Sequence, residues 1–177
     1  PRDLEMQKDM NLRIKYRESF RPFAPSVIEE EAHKFFKISK EHKSPYMLIT
    51  TEVNENIKTQ DHKNDDAKGL DLLKIERSEI PAVTHVDYTA RIQTVHKETN
   101  KKYYDLIKKF KDKTNCPVIV NTSFNIRGEP IVNTPEDAFN CFMGTDLDNL
   151  AIGNFYLDKK KQSKSLKSNY INNFELD

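Results

Sequence analysis

The run Asn121-Thr122-Ser123-Phe124-Asn125-Ile126-Arg127-Gly128-Glu129-Pro130 gathers the groups best suited to holding an anion. It follows Pro117-Val118-Ile119-Val120, which reads as a short buried strand. Polar side chains and backbone N–H groups clustered where a strand leaves its sheet can cradle a phosphate. Gly128 permits a tight turn and a close approach of ligand to backbone. On spacing alone, an ordinary polar strand-to-helix connection explains the run equally well. A second cluster, Lys15, Arg17 and Arg21, spans seven residues. Guanidinium forks suit bidentate contact with phosphate, and lysine offers a mobile point charge. Three such cations converging would fit a polyanion such as ATP; a solvated basic helix end is the plainer alternative. In the third cluster, Thr84 to Arg91, strand geometry would send Thr89 and Arg91 to one face, making Arg91 a candidate phosphate ligand.

Other reactive residues are scattered. His33, His42, His62, His85 and His96 show no ligand spacing, and Cys116 and Cys141 read as buried thiols. Neither a zinc site nor a cysteine nucleophile is expected.

Several elements must position these clusters. Leu4 to Tyr16 reads as a short helix that Asp3 can cap. Two prolines make Arg21 to Ile28 an extended or edge-strand segment. Glu29 to Phe36 is a short helix, and Tyr46 to Thr51 a strand. Residues 54–69 form a polar loop or insertion. Ala82–Val86 and Ala90–Val95 read as strands flanking Asp87-Tyr88-Thr89. Thr99 to Lys113 is an amphipathic helix with Tyr103, Leu106, Ile107 and Phe110 inward. A Thr134 N-cap and Pro135 start another helix, which runs to about Phe142. Leu150 to Leu157 is a last strand, and 158–177 is a Lys/Ser/Asn-rich tail. Interspersed strands and helices imply an α/β or α+β fold with a mixed sheet and flanking helices.

The 177 residues fit one substantial domain, 1–157, plus the tail. With 29 basic against 28 acidic residues, nucleic acid is not the expected partner. No run reaches the roughly 18–20 apolar residues of a membrane helix, so a cytoplasmic location is expected and no membrane association. The opening Pro1-Arg2-Asp3-Leu4-Glu5 reads as entry into a longer polypeptide.

Four blocks taken in order, "DLEMQKDMNLRIKYRESFRPFAPSV", "PAVTHVDYTARIQTV", "CPVIVNTSFNIRGEPIVNTPEDAFNCF" and "TDLDNLAIGNF", resemble the carbamoyltransferase family of nodulation and antibiotic O-carbamoyltransferases. "NTSFNIRGEP" is also similar to a pattern of the YrdC fold. The resemblance implies a C-terminal, YrdC-like domain with a twisted mixed sheet. It would bind carbamoyl phosphate and ATP with Mg²⁺, form a carbamoyl-adenylate, and pass it to a Kae1-like N-terminal domain that carries its own metal and the acceptor alcohol. By the same resemblance, Lys15, Arg17, Arg21, Thr89, Arg91, Asn121, Thr122, Ser123, Asn125 and Arg127 would contact the substrates. Lys15, Arg21, Arg91 and Ser123 among them would serve catalysis, with no protein metal ligand. A homodimer is a further expectation.

The nearest alternatives are a threonylcarbamoyl-adenylate synthase or RNA-binding module of the YrdC type, and a non-catalytic interaction domain. Two positions depart from the family pattern: Tyr88 stands where a small residue, often Gly, is usual, and Gly144 where a basic residue is common. The first would narrow the pocket beside Arg91; the second would remove a contact to nucleotide or to the other domain.

Overall fold

The computed structural model describes residues 1–59, 68–163 and 170–174. Most of the polar insertion, 60–67, and most of the tail lie outside the described residues. The chain divides into two compact units: Pro1–Gln7 with Pro22–Thr122, and Lys8–Arg21 with Ser123–Asp177.

The first unit carries a four-stranded sheet. Its strands are β1 (Ala24–Ile28), β2 (Ile49–Glu52), β3 (Thr89–Val95) and β4 (Val118–Asn121), in the order β2-β3-β1-β4. β1 runs parallel to β3 and antiparallel to β4, while β2 is antiparallel to β3. The sheet is therefore mixed, as the alternation of elements implied. β1 is an interior strand, not the edge that Pro25 suggested. Proline cannot donate to a ladder, and the pairing with β3 starts only at Ser26, one residue beyond Pro25.

Helix α2 (Glu29–Phe35) follows β1 directly, and α3 (Lys101–Thr114) covers the sheet, packing Tyr104 and Ile107 on Ile28 and Val95. Asn100 caps α3 through its side chain, and Asn115 ends it at φ 57. Its inner face is rotated from the expected one: Leu106 is 59% exposed, and Tyr104 is buried with its hydroxyl on Glu30. β2 starts later than its apolar run suggested, with Tyr46 and Leu48 80% and 82% exposed. The apolar Pro81–Val83 forms a 3-10 turn rather than a strand, closed by the Ser78 and Thr84 hydroxyls.

Tyr88 has a backbone reason for being unusual. Its φ is 62, in the left-handed region that favours glycine. Its ring lies beneath the Lys58 ammonium, 5.0 Å from the ring centre. The position thus favours glycine, and Tyr88 occupies it with strain offset in part by that cation–π contact, worth about 0.5–1 kcal/mol at exposed sites.

In the second unit, α1 (Met6–Asp9), which straddles the boundary, continues as a π-helical stretch, Met10–Lys15. It stops at Tyr16, whose φ is 47. Helix α4 (Pro135–Gly144) starts as its sequence predicted, with a Thr134 N-cap and Pro135 in the first turn, and Asp137 adds a reciprocal bond that makes a capping box. Leu150–Leu157 is not one strand but a hairpin, β5 (Asn149–Ile152) and β6 (Phe155–Asp158), turning at Gly153 with φ 57. Ala138, Phe142 and Met143 of α4 pack on Leu150 to make this unit's core.

Candidate functional site

In the second unit, the segment after β4 folds back on itself. Gly128 takes φ 76, Glu129 N–H donates to Ile126 O at 3.3 Å, and Val132 N–H donates to Phe124 O at 3.0 Å. At the centre of this loop stands Lys15, 4% exposed. Its ammonium donates to Ser123 O (2.7 Å), Asn125 O (2.7 Å), Asn125 Oδ1 (2.8 Å) and Ser123 Oγ (3.2 Å). Arg127 N–H returns a bond to Lys15 O at 3.0 Å. An ammonium has three protons, so four oxygens more than use them. Burial, and then Arg17, pull the Lys15 ammonium down to about 8.

Around Lys15 a cavity of about 550 Å³ is lined by Arg17, Arg21, Arg127, Ser123 and Asn125. Glu18 bridges two of the cations, accepting from Arg21 Nε at 2.8 Å and from Arg127 at 3.0 Å. A backbone N–H first, and then Arg127 and Arg21, hold the Glu18 carboxyl below its ordinary value. Burial, then Arg21, lower Arg17. The carboxylate occupies the fork where an anionic ligand would bind two guanidiniums.

Two residues that sequence reasoning passed over hold this arrangement. Asn11 is fully buried; its Nδ2 donates to Arg21 O (2.8 Å) and Ser19 O (3.2 Å), and its Oδ1 accepts from Arg17 Nε (2.6 Å). One short amide thus fixes the turn that presents both arginines. Glu129 accepts Ile126 N–H at 2.7 Å, while its backbone O accepts from Asn125 Nδ2 at 2.7 Å. Cys141 lies close by, its thiol pushed up to about 12 by burial and then by Glu129, which suits an inert core thiol rather than a nucleophile.

Of the ten expected ligands, Lys15, Arg17, Arg21, Ser123, Asn125 and Arg127 fall in the second unit, and Thr89, Arg91, Asn121 and Thr122 in the first. Arg91 is exposed on β3 opposite Thr50 and has no ion-pair partner among the described residues. Thr89 is engaged locally, donating its hydroxyl to Asp87 at 2.7 Å and lying 3.1 Å from His85 Nδ1. Burial lowers His85, as expected of a packed neutral imidazole. Asn121 Nδ2 donates to Gln93 Oε1 (2.7 Å), which also accepts from Ser26 Oγ (2.6 Å). Among the described residues no three His, Cys, Asp or Glu side chains converge as metal ligands. No helix there is long and apolar enough to cross a membrane.

A family model described as the carbamoyltransferase C-terminus matches residues 1–159. An uncharacterized protein of Synechocystis is 51% identical over 179 residues, covering 100% of this chain and 29% of the relative. Nodulation protein NolO of Bradyrhizobium diazoefficiens is 41% identical, covering 92% of this chain and 26% of the relative. The 3'-hydroxymethylcephem-O-carbamoyltransferase of Amycolatopsis lactamdurans is 33% identical, with 70% of this chain and 19% of that enzyme covered. The chain thus spans less than a third of the length of these relatives. With the family model covering nearly all of its described residues, this chain belongs to the carbamoyltransferase C-terminal domain family.

Proposed function

We propose that this domain binds carbamoyl phosphate and ATP with Mg²⁺ and forms a carbamoyl-adenylate, which a Kae1-like N-terminal domain of the same polypeptide transfers to an acceptor hydroxyl. The observation that carries the reading is the loop closed on Lys15 beside Arg17, Arg21 and Arg127. It is supported by the named carbamoyltransferase among the relatives.

In this reading the chain's own chemistry is electrostatic. The guanidiniums neutralise two polyanions that would otherwise repel. Water releases phosphate from carbamoyl phosphate, a carbamate oxygen then bonds to the α-phosphorus of ATP as the bond to pyrophosphate breaks, and the cations stabilise charge on both leaving groups. Orientation within the cavity supplies a further part of the barrier reduction. Lys15 acts by shaping the loop, since its protons are spent on Ser123 and Asn125. Arg91, exposed on its strand, is the ligand proposed from the first unit. Magnesium bound with the nucleotide would supply further charge neutralisation, held chiefly by the substrate phosphates as this ion commonly is.

Titration calorimetry with ATP and with carbamoyl phosphate tests the reading. Arg127→Ala and Arg91→Ala are each expected to weaken one or both ligands about tenfold or more, the loss of one charge-assisted pair. Binding equal to the parent's in both variants would place the ligand elsewhere.

A further inference from the structure

The polar tail expected beyond residue 157 contains a residue that is not tail-like. Tyr170 is 7% exposed and packs with Ile126 and Cys141, with Tyr16, Phe124, Val132 and Phe174 around it. Its ring meets Phe174 edge-on at 5.2 Å. It lies in the 3-10 turn Tyr170–Asn173, beyond the residues that match the family model.

The ring's seat is Gly144. A Cβ built there would lie 2.2 Å from Tyr170 Cβ and 2.4 Å from its Cγ, contacts that no side chain at 144 could keep. The missing side chain at 144 therefore has a local consequence: it leaves the room that the Tyr170 ring fills.

The Tyr170 hydroxyl donates to the Glu129 carboxylate. Burial, and then Glu129, push the phenol far above its ordinary range, so it remains a donor throughout. Glu129 is itself buried and uses its other oxygen on Ile126 N–H at 2.7 Å. A buried carboxylate must have its lone pairs satisfied. Tyr170 thus completes the residue that holds Ile126 and, through Glu129 O, Asn125 Nδ2. Asn125 is in turn one of the two residues that encircle Lys15.

We propose that Tyr170, seated on Gly144, is a positioning residue for the anion-binding loop: it orients Glu129, and through Glu129 the Ile126–Gly128 turn that carries Arg127. The 3-10 turn Tyr170–Asn173, beyond the family match, is on this account part of the site's support. Its ligand-binding consequence rests on the proposed function above; its effect on the loop does not.

Two variants reach the same contact from opposite sides. Tyr170→Phe removes only the hydroxyl, and Gly144→Ala displaces the ring without touching it chemically. Amide hydrogen exchange of Ile126 is expected to speed up about tenfold in each, as one charge-assisted bond behind it is lost, with the α3 amides unchanged as an internal reference. The dissociation constant for ATP is expected to rise about tenfold, as small misplacements of a binding group do. Should Gly144→Ala fail to fold, Tyr170→Phe decides alone. Unchanged Ile126 exchange in Tyr170→Phe overturns the proposal and leaves Tyr170 a packing residue. Parent protein that binds neither ATP nor carbamoyl phosphate counts against the proposed function only, and the exchange result still decides the positioning role.

Discussion

Replacing Lys15 with Met is expected to destabilise the second unit by about 3 kcal/mol and to abolish measurable anion binding at its loop. The ammonium serves Ser123 O, Asn125 O and Asn125 Oδ1 at 2.7–2.8 Å from a position that is almost wholly buried. A buried acceptor stripped of its donor costs about 1–3 kcal/mol, and the loop can recover part of three such losses by opening to water. In a chain of this size that corresponds to a fall in melting temperature on the order of 10 °C. Urea denaturation and thermal melting read it directly. Arg91, exposed on β3, differs from Lys15 in this respect. An exposed residue of that kind is expected to shift stability by no more than about 0.5 kcal/mol.

Lys15 also predicts two opposite pH trends. Its folded value of about 8 lies below its ordinary value of 10.5, with burial and then Arg17 as the causes. Between those values the unfolded chain binds more protons, so this group's contribution to stability rises with pH across the window. Anion affinity moves the other way, falling above about pH 8 as the cation is lost. Calorimetry at pH 7 and 9 should show the decline in the parent.

Asn11→Ala carries the second large effect. It deletes the fully buried amide that accepts from Arg17 Nε and donates to the carbonyls of Ser19 and Arg21, partners that are themselves half-buried. Leaving those groups unpaired should cost about 2–4 kcal/mol. The turn over 16–21 would then no longer present Arg17 and Arg21 together, and ATP affinity should fall by an order of magnitude or more. Affinity preserved in a folded Asn11→Ala protein would show that the two arginines are oriented by something other than this amide.

The contrast between these residues shows where the sequence is legible. Local chemistry was readable: the Thr134 N-cap with Pro135, the tight turn at Gly128 and the strand entering the 121–130 loop all follow from neighbouring residues. So was the cationic cluster, because charge and spacing are printed in the chain. What escaped were partnerships over distance. Asn11 sits among apolar helix positions, and nothing nearby announces that its amide closes a turn ten residues on. Glu129 and Tyr170 meet across 41 residues, with the second inside a stretch whose composition reads as solvated tail. Apolar runs misled where burial depended on tertiary packing. Tyr46 and Leu48 precede their strand rather than forming it, and Pro25 marked an edge that β4 in fact covers.

The central claim is that this domain activates a carbamoyl group on ATP. Its most direct test is carbamoyl-phosphate-dependent exchange of labelled pyrophosphate into ATP, measured with this chain alone and with the full-length polypeptide. The account predicts exchange that requires both carbamoyl phosphate and Mg²⁺ and that is lost in Arg127→Ala. Full-length protein that transfers carbamoyl groups yet shows no such exchange would contradict it.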